Sequence, residues 1–190
     1  KEFLLAFLDK SEVFSCRELP TKAQLLLADI YIQLGNHDDA ERLLRALQYT
    51  DERLSIDVNL RIARIATVRQ EPRGLDILFS LLEQTRDPIH LMEIWLLAGQ
   101  YYVELDDVEQ ASECIDQVQL LVEDNLSFAC QLDLLRGDVA RTRQQIGLAE
   151  QCYQKAASRN QKLKNPIFEG RILFHRGELL RRCEEHSKAT

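Results

Sequence analysis

The sequence predicts an all-α fold, a stack of antiparallel helix pairs. Three observations carry that expectation. Leu, Ala, Glu, Gln and Arg dominate the 190 residues, with only 7 Gly and 4 Pro, and those are good helix formers. Pairs of small residues recur twelve positions apart: Ala28/Ala40, Gly99/Ala111, Gly137/Ala149 and Gly177/Ala189. The second members of these pairs are separated by 71, 38 and 40 residues. Seventy-one is two repeats, so a fifth unit lies between the first two.

Taken in order, the units are residues 1–19 (partial), 21–54, 55–91, 92–125, 130–165 and 167–190 (partial), in one domain spanning 1–190. The segment KEFLLAFLDKSEVF carries Ala6 34 residues before Ala40 and reads as a second helix. The chain starts inside that pattern, at Lys1 rather than Met, so a piece of a larger protein is expected. Pro20 precedes the next first helix. In LLADIYIQLGNHDDAERLLRAL, the polar break GNHDD separates two apolar stretches. The unit around Ile56–Gln84 admits two registers, Ile62/Gly74 or Ala63/Leu75, with Pro72 suited to the first turn of its second helix after a break at 69–71. The last unit is expected to turn near Glu184–His186.

Small residues recur because two helices joined by a short turn cross at a tight point, where only Gly or Ala lets the backbones approach. Each of Gly99, Gly137 and Gly177 costs a helix about 1 kcal/mol against Ala, so their recurrence at one position implies a packing reason. Larger residues fill the layer around them, Tyr31, Leu44 and Leu47 in one unit and Trp95, Tyr102, Ile115 and Val118 in another.

Trp95, Gly99, Tyr102, Ala111 and Val118 stand at the relative positions of the tetratricopeptide repeat signature, as do Leu27, Ala28, Tyr31, Ala40 and Leu47. The chain therefore resembles that family over nearly its whole length. Two departures stand out: repeats of 38 and 40 residues against the usual 34, and Arg136 and Arg176 in place of an expected Leu. The longer units are similar to those of kinesin light chain, Leu-Gly-Asn repeat, anaphase-promoting-complex and MalT-type proteins. The resemblance implies a right-handed superhelical solenoid whose first helices line a concave face. Carried onto this sequence, the partner-binding positions of that face are Asp29, Ile32, Gln33, Glu93, Leu96, Gln100, Glu104, Gln131, Asp138, Arg141, Arg171, Glu178 and Arg181, with Asn59 or Arg64 from the ambiguous unit. Leu25, Val103, Leu134, Thr142, Phe174 and Arg182 complete the lining. Such a list suits an extended or helical peptide whose charge changes sign along its length. The carboxylate clamp of the family's chaperone-binding members is not expected, since its places hold Leu25, Asp29, Leu96 and Gln100.

Charge limits the partners further. Net charge is −7, which disfavours direct nucleic-acid binding. Residues 1–125 hold 12 basic and 24 acidic side chains, and residues 126–190 hold 12 and 7. Met92–Asp124 alone has nine carboxylates and no Lys or Arg. The five cysteines (Cys16, Cys114, Cys130, Cys152, Cys183) are odd in number and widely spaced. They read as free, mostly packed thiols of an intracellular protein, cytoplasmic or nuclear. No run is long enough to span a membrane, and a signal peptide is not expected.

Catalytic signatures are missing: no phosphate loop, G-x-S-x-G elbow or H-E-x-x-H helix occurs. Without a C-x-x-C pair a zinc site is not expected, and His175, Cys183 and His186 form too sparse a cluster. His37 and His186 are read as packing or capping at turns. Asp38/Asp39, Asp106/Asp107 and Glu184/Glu185 fall where second helices open, and are read as caps and dipole partners rather than acid–base pairs. The functional expectation is a non-catalytic scaffold without cofactor, binding a protein or peptide as part of a multiprotein assembly. The alternatives are a ligand-sensing region of a MalT-type regulator and self-association through the end repeats.

Overall fold

A computed structural model describes residues 21–48 and 54–189, with side chains described as far as Arg181. The expectations for Ala6, Cys16 and the first partial unit lie outside the described residues, as do those for the side chains of Cys183 and His186. The described residues form nine α-helices and no strand. These are α1 (Thr21–Gln33), α2 (His37–Gln48), α3 (Ser55–Val68), α4 (Arg73–Gln84), α5 (Pro88–Glu104), α6 (Val108–Leu121), α7 (Leu126–Thr142), α8 (Ile146–Leu163) and α9 (Pro166–Ala189). The chain divides into two compact units, residues 1–77 and 78–190.

In the first unit, α1 packs on α2, and α3 packs on both. Leu27, Ala28, Ala40, Leu44 and Val58 close its core, with Ala28 and Ala40 fully buried. In the second unit α5 pairs with α6 and α7 with α8. The first helices also touch one another, α7 lying against α5, and α9 against α7 and α8. Helices therefore pair consecutively, as the small-residue spacing predicts.

One turn builds the hairpins. Gly35, Gln70, Asp106 and Gln144 all have φ between 57° and 78°, and the backbone hydrogen bonds around them repeat. Gly35 N–H donates to the Ile32 carbonyl and Asn36 N–H to that of Tyr31. The same two bonds recur at Gln70/Glu71, Asp106/Asp107 and Gln144/Gln145. This is a Schellman C-cap, which satisfies helix-terminal carbonyls that would otherwise be orphaned.

The repeated cap resolves the ambiguous unit. Ala28, Gly99 and Gly137 each stand seven residues before the left-handed residue, and in the α3/α4 hairpin that position is Ala63, fully buried. On the other side Gly74 is buried while Leu75 is only half-buried. The small pair is thus Ala63/Gly74, eleven apart and a mixture of the two expected registers. The cause lies after Glu71, where Gly74 donates to Glu71 and Leu75 to Pro72. That tight turn delays α4 until Arg73, so Pro72 precedes the helix rather than occupying its first turn.

The last unit departs from expectation. No turn separates Gly177 from Ala189; the backbone of α9 runs unbroken from Pro166 to Ala189. Glu184 and Glu185 are accordingly not helix-opening residues, and His186 is not at a turn. A Cβ at Gly177 would meet nothing within 4 Å, so this glycine marks no crossing. No residue in RRCEEHSKA forbids a helix, and one Gly costs too little to end it.

Candidate interaction surfaces

The small-residue crossings carry the tightest contacts. A Cβ on Gly99 would lie 2.7 Å from the Leu135 side chain and 3.2 Å from Cys114 Cβ. On Gly137 it would lie 2.2 Å from the ring of Tyr153, a side chain with no solvent exposure. Tyr153 takes the place held by Leu44 and Ile115 in the other hairpins, four residues past the crossing alanine. At that position, among the described hairpins, it brings a hydroxyl where the others have an aliphatic side chain.

That hydroxyl needs an acceptor, and Asp138 supplies it. Tyr153 Oη donates to Asp138 Oδ1 over 2.8 Å, and His175 Nδ1 from α9 lies 2.7 Å from the same oxygen. Arg141 Nη2 is 3.5 Å away. Burial and the Asp138 charge together push the Tyr153 phenol far above its ordinary value. Within this unit, then, α7, α8 and α9 are tied at one buried polar point. His175 also packs its ring near Tyr153, 5.8 Å between centroids.

A second buried carboxylate, Asp133, is held by Arg159 at 2.7 Å and Arg136 at 3.7 Å. The two arginines that replace an expected leucine are clips to the preceding second helix. Arg136 hydrogen-bonds Gln119 of α6, and Arg176 pairs with Glu150 of α8 at 2.7 Å. In the first unit Glu41 gathers Arg45, Arg69 and Arg73 within 3.1 Å. Burial pushes the Glu41 carboxyl up, but hydrogen bonds and charges from Arg45 and Arg73 outweigh it and leave its pKa below the ordinary value.

The residues expected to line a partner groove fall into three groups. Leu96 is 2% exposed and Asp138 7%; both are core residues and present no surface. Leu25 and Leu134 are likewise buried. The reason is that adjacent first helices bury part of the face that a single hairpin leaves open. A second group is engaged internally. Asp29 takes a two-pronged ion pair from Arg61, 2.8 and 2.9 Å, Asn59 accepts from the Gln48 amide, Ile32 packs on the core, and Arg141 is mostly buried. The third group has surface to offer: Gln33 and Glu104 are exposed, and Glu93, Gln100, Gln131 and Arg171 are half-buried. Arg181 is exposed and pairs along α9 with half-buried Glu178 at 2.9 Å. Sequence reasoning missed Arg61, Tyr153 and His175 as the partners that occupy Asp29 and Asp138. The Asp29–Arg61 separation of one repeat was the available signal.

Of the acidic pairs, only Asp107 makes a cap hydrogen bond among the described residues. Asp107 accepts from Gln110 N–H at 3.1 Å, Asp38 and Asp39 lie in the first turn of α2, and Asp106 is the left-handed residue of its turn. Asn125 accepts from Ser127 and Phe128 at the start of α7. Half-buried His37 is the first residue of α2. Cys114, Cys130 and Cys152 are free and buried, and burial pushes the Cys114 thiol up to about 12. Among the described residues no group of three or more His, Cys, Asp or Glu could hold a metal, and no helix is long and apolar enough to cross a membrane.

Fold and packing define a protein built of repeated helical hairpins. Two of those hairpins match a family model, Tetratricopeptide repeat, over residues 21–53 and 93–124. No curated protein and no solved structure gave a match. Tetratricopeptide repeats are as a rule interaction modules rather than catalysts.

Proposed function

We propose that the chain is a non-catalytic scaffold, acting inside the cell, which holds a peptide segment or subunit of a larger assembly on the face made by its first helices. The observation that carries this reading is the pair of tetratricopeptide matches together with neighbouring first helices in the second unit, α5 beside α7 beside α9. On that face Glu104 is exposed and Gln100 and Gln131 are half-buried, and their amides and carboxylate can set the register of a bound backbone. Apolar support comes from Phe174, 65% exposed on α9. Asp138 is excluded from contact by its burial, so Arg171 and Arg181 supply the polar chemistry at the α9 end.

The test is affinity capture from lysate, comparing the wild type with a Gln100→Arg/Glu104→Arg/Gln131→Arg variant whose circular dichroism and melting match the wild type. A partner lost from the variant places binding on this face. Equal capture by both proteins refutes the assignment of the face.

A further inference from the structure

We infer that the second-helix face of the second unit, opposite in role to the proposed partner groove, is a self-complementary surface through which two copies of this chain pair. The geometry begins with an equivalence of α6 and α8. Buried Ala111, Cys114, Ile115 and Val118 of α6 correspond, at a constant offset of 38, to buried Ala149, Cys152, Tyr153 and Ala156 of α8. Both helices lie against α7. As equivalent second helices packed on α7, they carry outward stripes in matching register, residue n on α6 corresponding to residue n+38 on α8.

The two stripes carry opposite charge. On α6 and its C-terminal turn the exposed residues include Asp116, Leu120, Glu123 and Asp124, within a stretch that has no Lys or Arg from Met92 to Asp124. Leu120 is 76% exposed. Between α8 and the start of α7 a shallow hollow is lined by Leu126 of α7 and by Gln154, Lys155, Ser158, Arg159 and Lys162 of α8. Applying the offset, Asp116 corresponds to Gln154, next to Lys155, Asp124 to Lys162, and Leu120 to Ser158, which lines the hollow.

A two-fold axis running between α6 and α8, parallel to them, sets α6 of one copy over α8 of the other and the reverse, at unchanged height. Each Leu120 then enters the partner copy's hollow, and each acidic end meets Lys155 and Lys162. Charge complementarity alone chooses the occupant. A like stripe in the same place would be repelled, whereas a second copy supplies both the matching charges and the apolar knob.

The experiment is sedimentation equilibrium of the full chain at low ionic strength over a hundredfold range of concentration. A monomer–dimer equilibrium is expected, weakening about tenfold or more when salt screens the contacts. Lys155→Glu/Lys162→Glu makes both stripes acidic and Asp116→Lys/Asp124→Lys makes both basic; each variant alone is expected to be monomeric, and an equimolar mixture of the two to dimerise. Circular dichroism confirms that both remain folded, which exposed positions permit. A wild type that stays monomeric overturns the inference. So does a dimer that survives either charge swap, which would place self-association on another surface such as α9, and so does a mixture that fails to associate.

Discussion

Gly137 and Gly177 are predicted to respond oppositely to the same methyl group. Replacing either with Ala gains intrinsic helix stability of about 1 kcal/mol. At Gly137 the new Cβ would lie 2.2, 2.5 and 2.9 Å from three atoms of the Tyr153 ring, where carbon contacts normally settle near about 3.5–4.0 Å. The ring must retreat by more than roughly 1 Å to restore that contact. It has no solvent exposure, and its hydroxyl is fixed to Asp138. Overpacking of this kind costs about 1–3 kcal/mol or more, and moving the hydroxyl off a buried carboxylate adds roughly 1–3 kcal/mol. Gly137→Ala should therefore be destabilised by about 2 kcal/mol or more after the helix gain, a fall in Tm of several degrees. At Gly177 a Cβ meets nothing within 4 Å, so the gain of up to about 1 kcal/mol is unopposed. Thermal denaturation followed by circular dichroism reads both variants. A Gly137→Ala protein melting at or above the wild type would refute the crossing argument, and a Gly177→Ala protein melting well below it would show that α9 is packed where it is described as open.

Other expectations follow from the buried groups. Tyr153→Phe leaves Asp138 short of one donor and should cost about 1–3 kcal/mol by chemical denaturation, with a loss below half a kilocalorie counting against the hydrogen bond. Arg61→Ala breaks a part-exposed ion pair with Asp29 and should cost no more than about 1 kcal/mol; a larger loss in the same titration would mean that the pair anchors α3 to α1. The folded pKa of Glu41 is depressed, so its contribution is fully present above the ordinary carboxylate range and is lost as pH falls through the folded value. The drop in Tm on acidification should accordingly be smaller for Glu41→Gln than for wild type, and equal slopes would contradict the pairing with Arg45 and Arg73. With its thiol held up near 12 and buried, Cys114 should resist a thiol-specific reagent at neutral pH until denaturant is added. Modification of Cys114 in the folded protein, read by peptide mass, would oppose that placement.

Much of this architecture is legible in the sequence because close crossing demands a small side chain and a short turn fixes the spacing. Ala28/Ala40, Gly99/Ala111 and Gly137/Ala149 reveal three hairpins for that reason. Gly177/Ala189 has the same spacing without a crossing, since spacing alone cannot distinguish a glycine that admits a neighbour from one that faces solvent. Ala63/Gly74 escapes the twelve-residue rule because an added tight turn at Glu71–Leu75 absorbs one position. The groove was less legible than the fold. Asp29 and Asp138 look like surface chemistry in a single hairpin, yet Arg61 on the next first helix takes one, while Tyr153 and His175 take the other. A carboxylate's partners one repeat away depend on how helices from different hairpins face each other, which no local pattern encodes. Leu96 entered the core through the same cause, the contact of α5 with α7.

The corners of the hairpins leave room for hardening the protein against heat. Four turns share one backbone conformation, and only Gly35 fills it with a residue suited to φ near 78°. Gln70, Asp106 and Gln144 hold φ of 57°, 58° and 59°, where a side chain brings a strain of about 1 kcal/mol each. Substituting glycine at these three exposed sites touches no helix interior and no buried carboxylate. Because the sites are well separated, their gains should largely add. A more heat-resistant form of the scaffold is thus reachable through its corners, with both proposed contact faces left as they are.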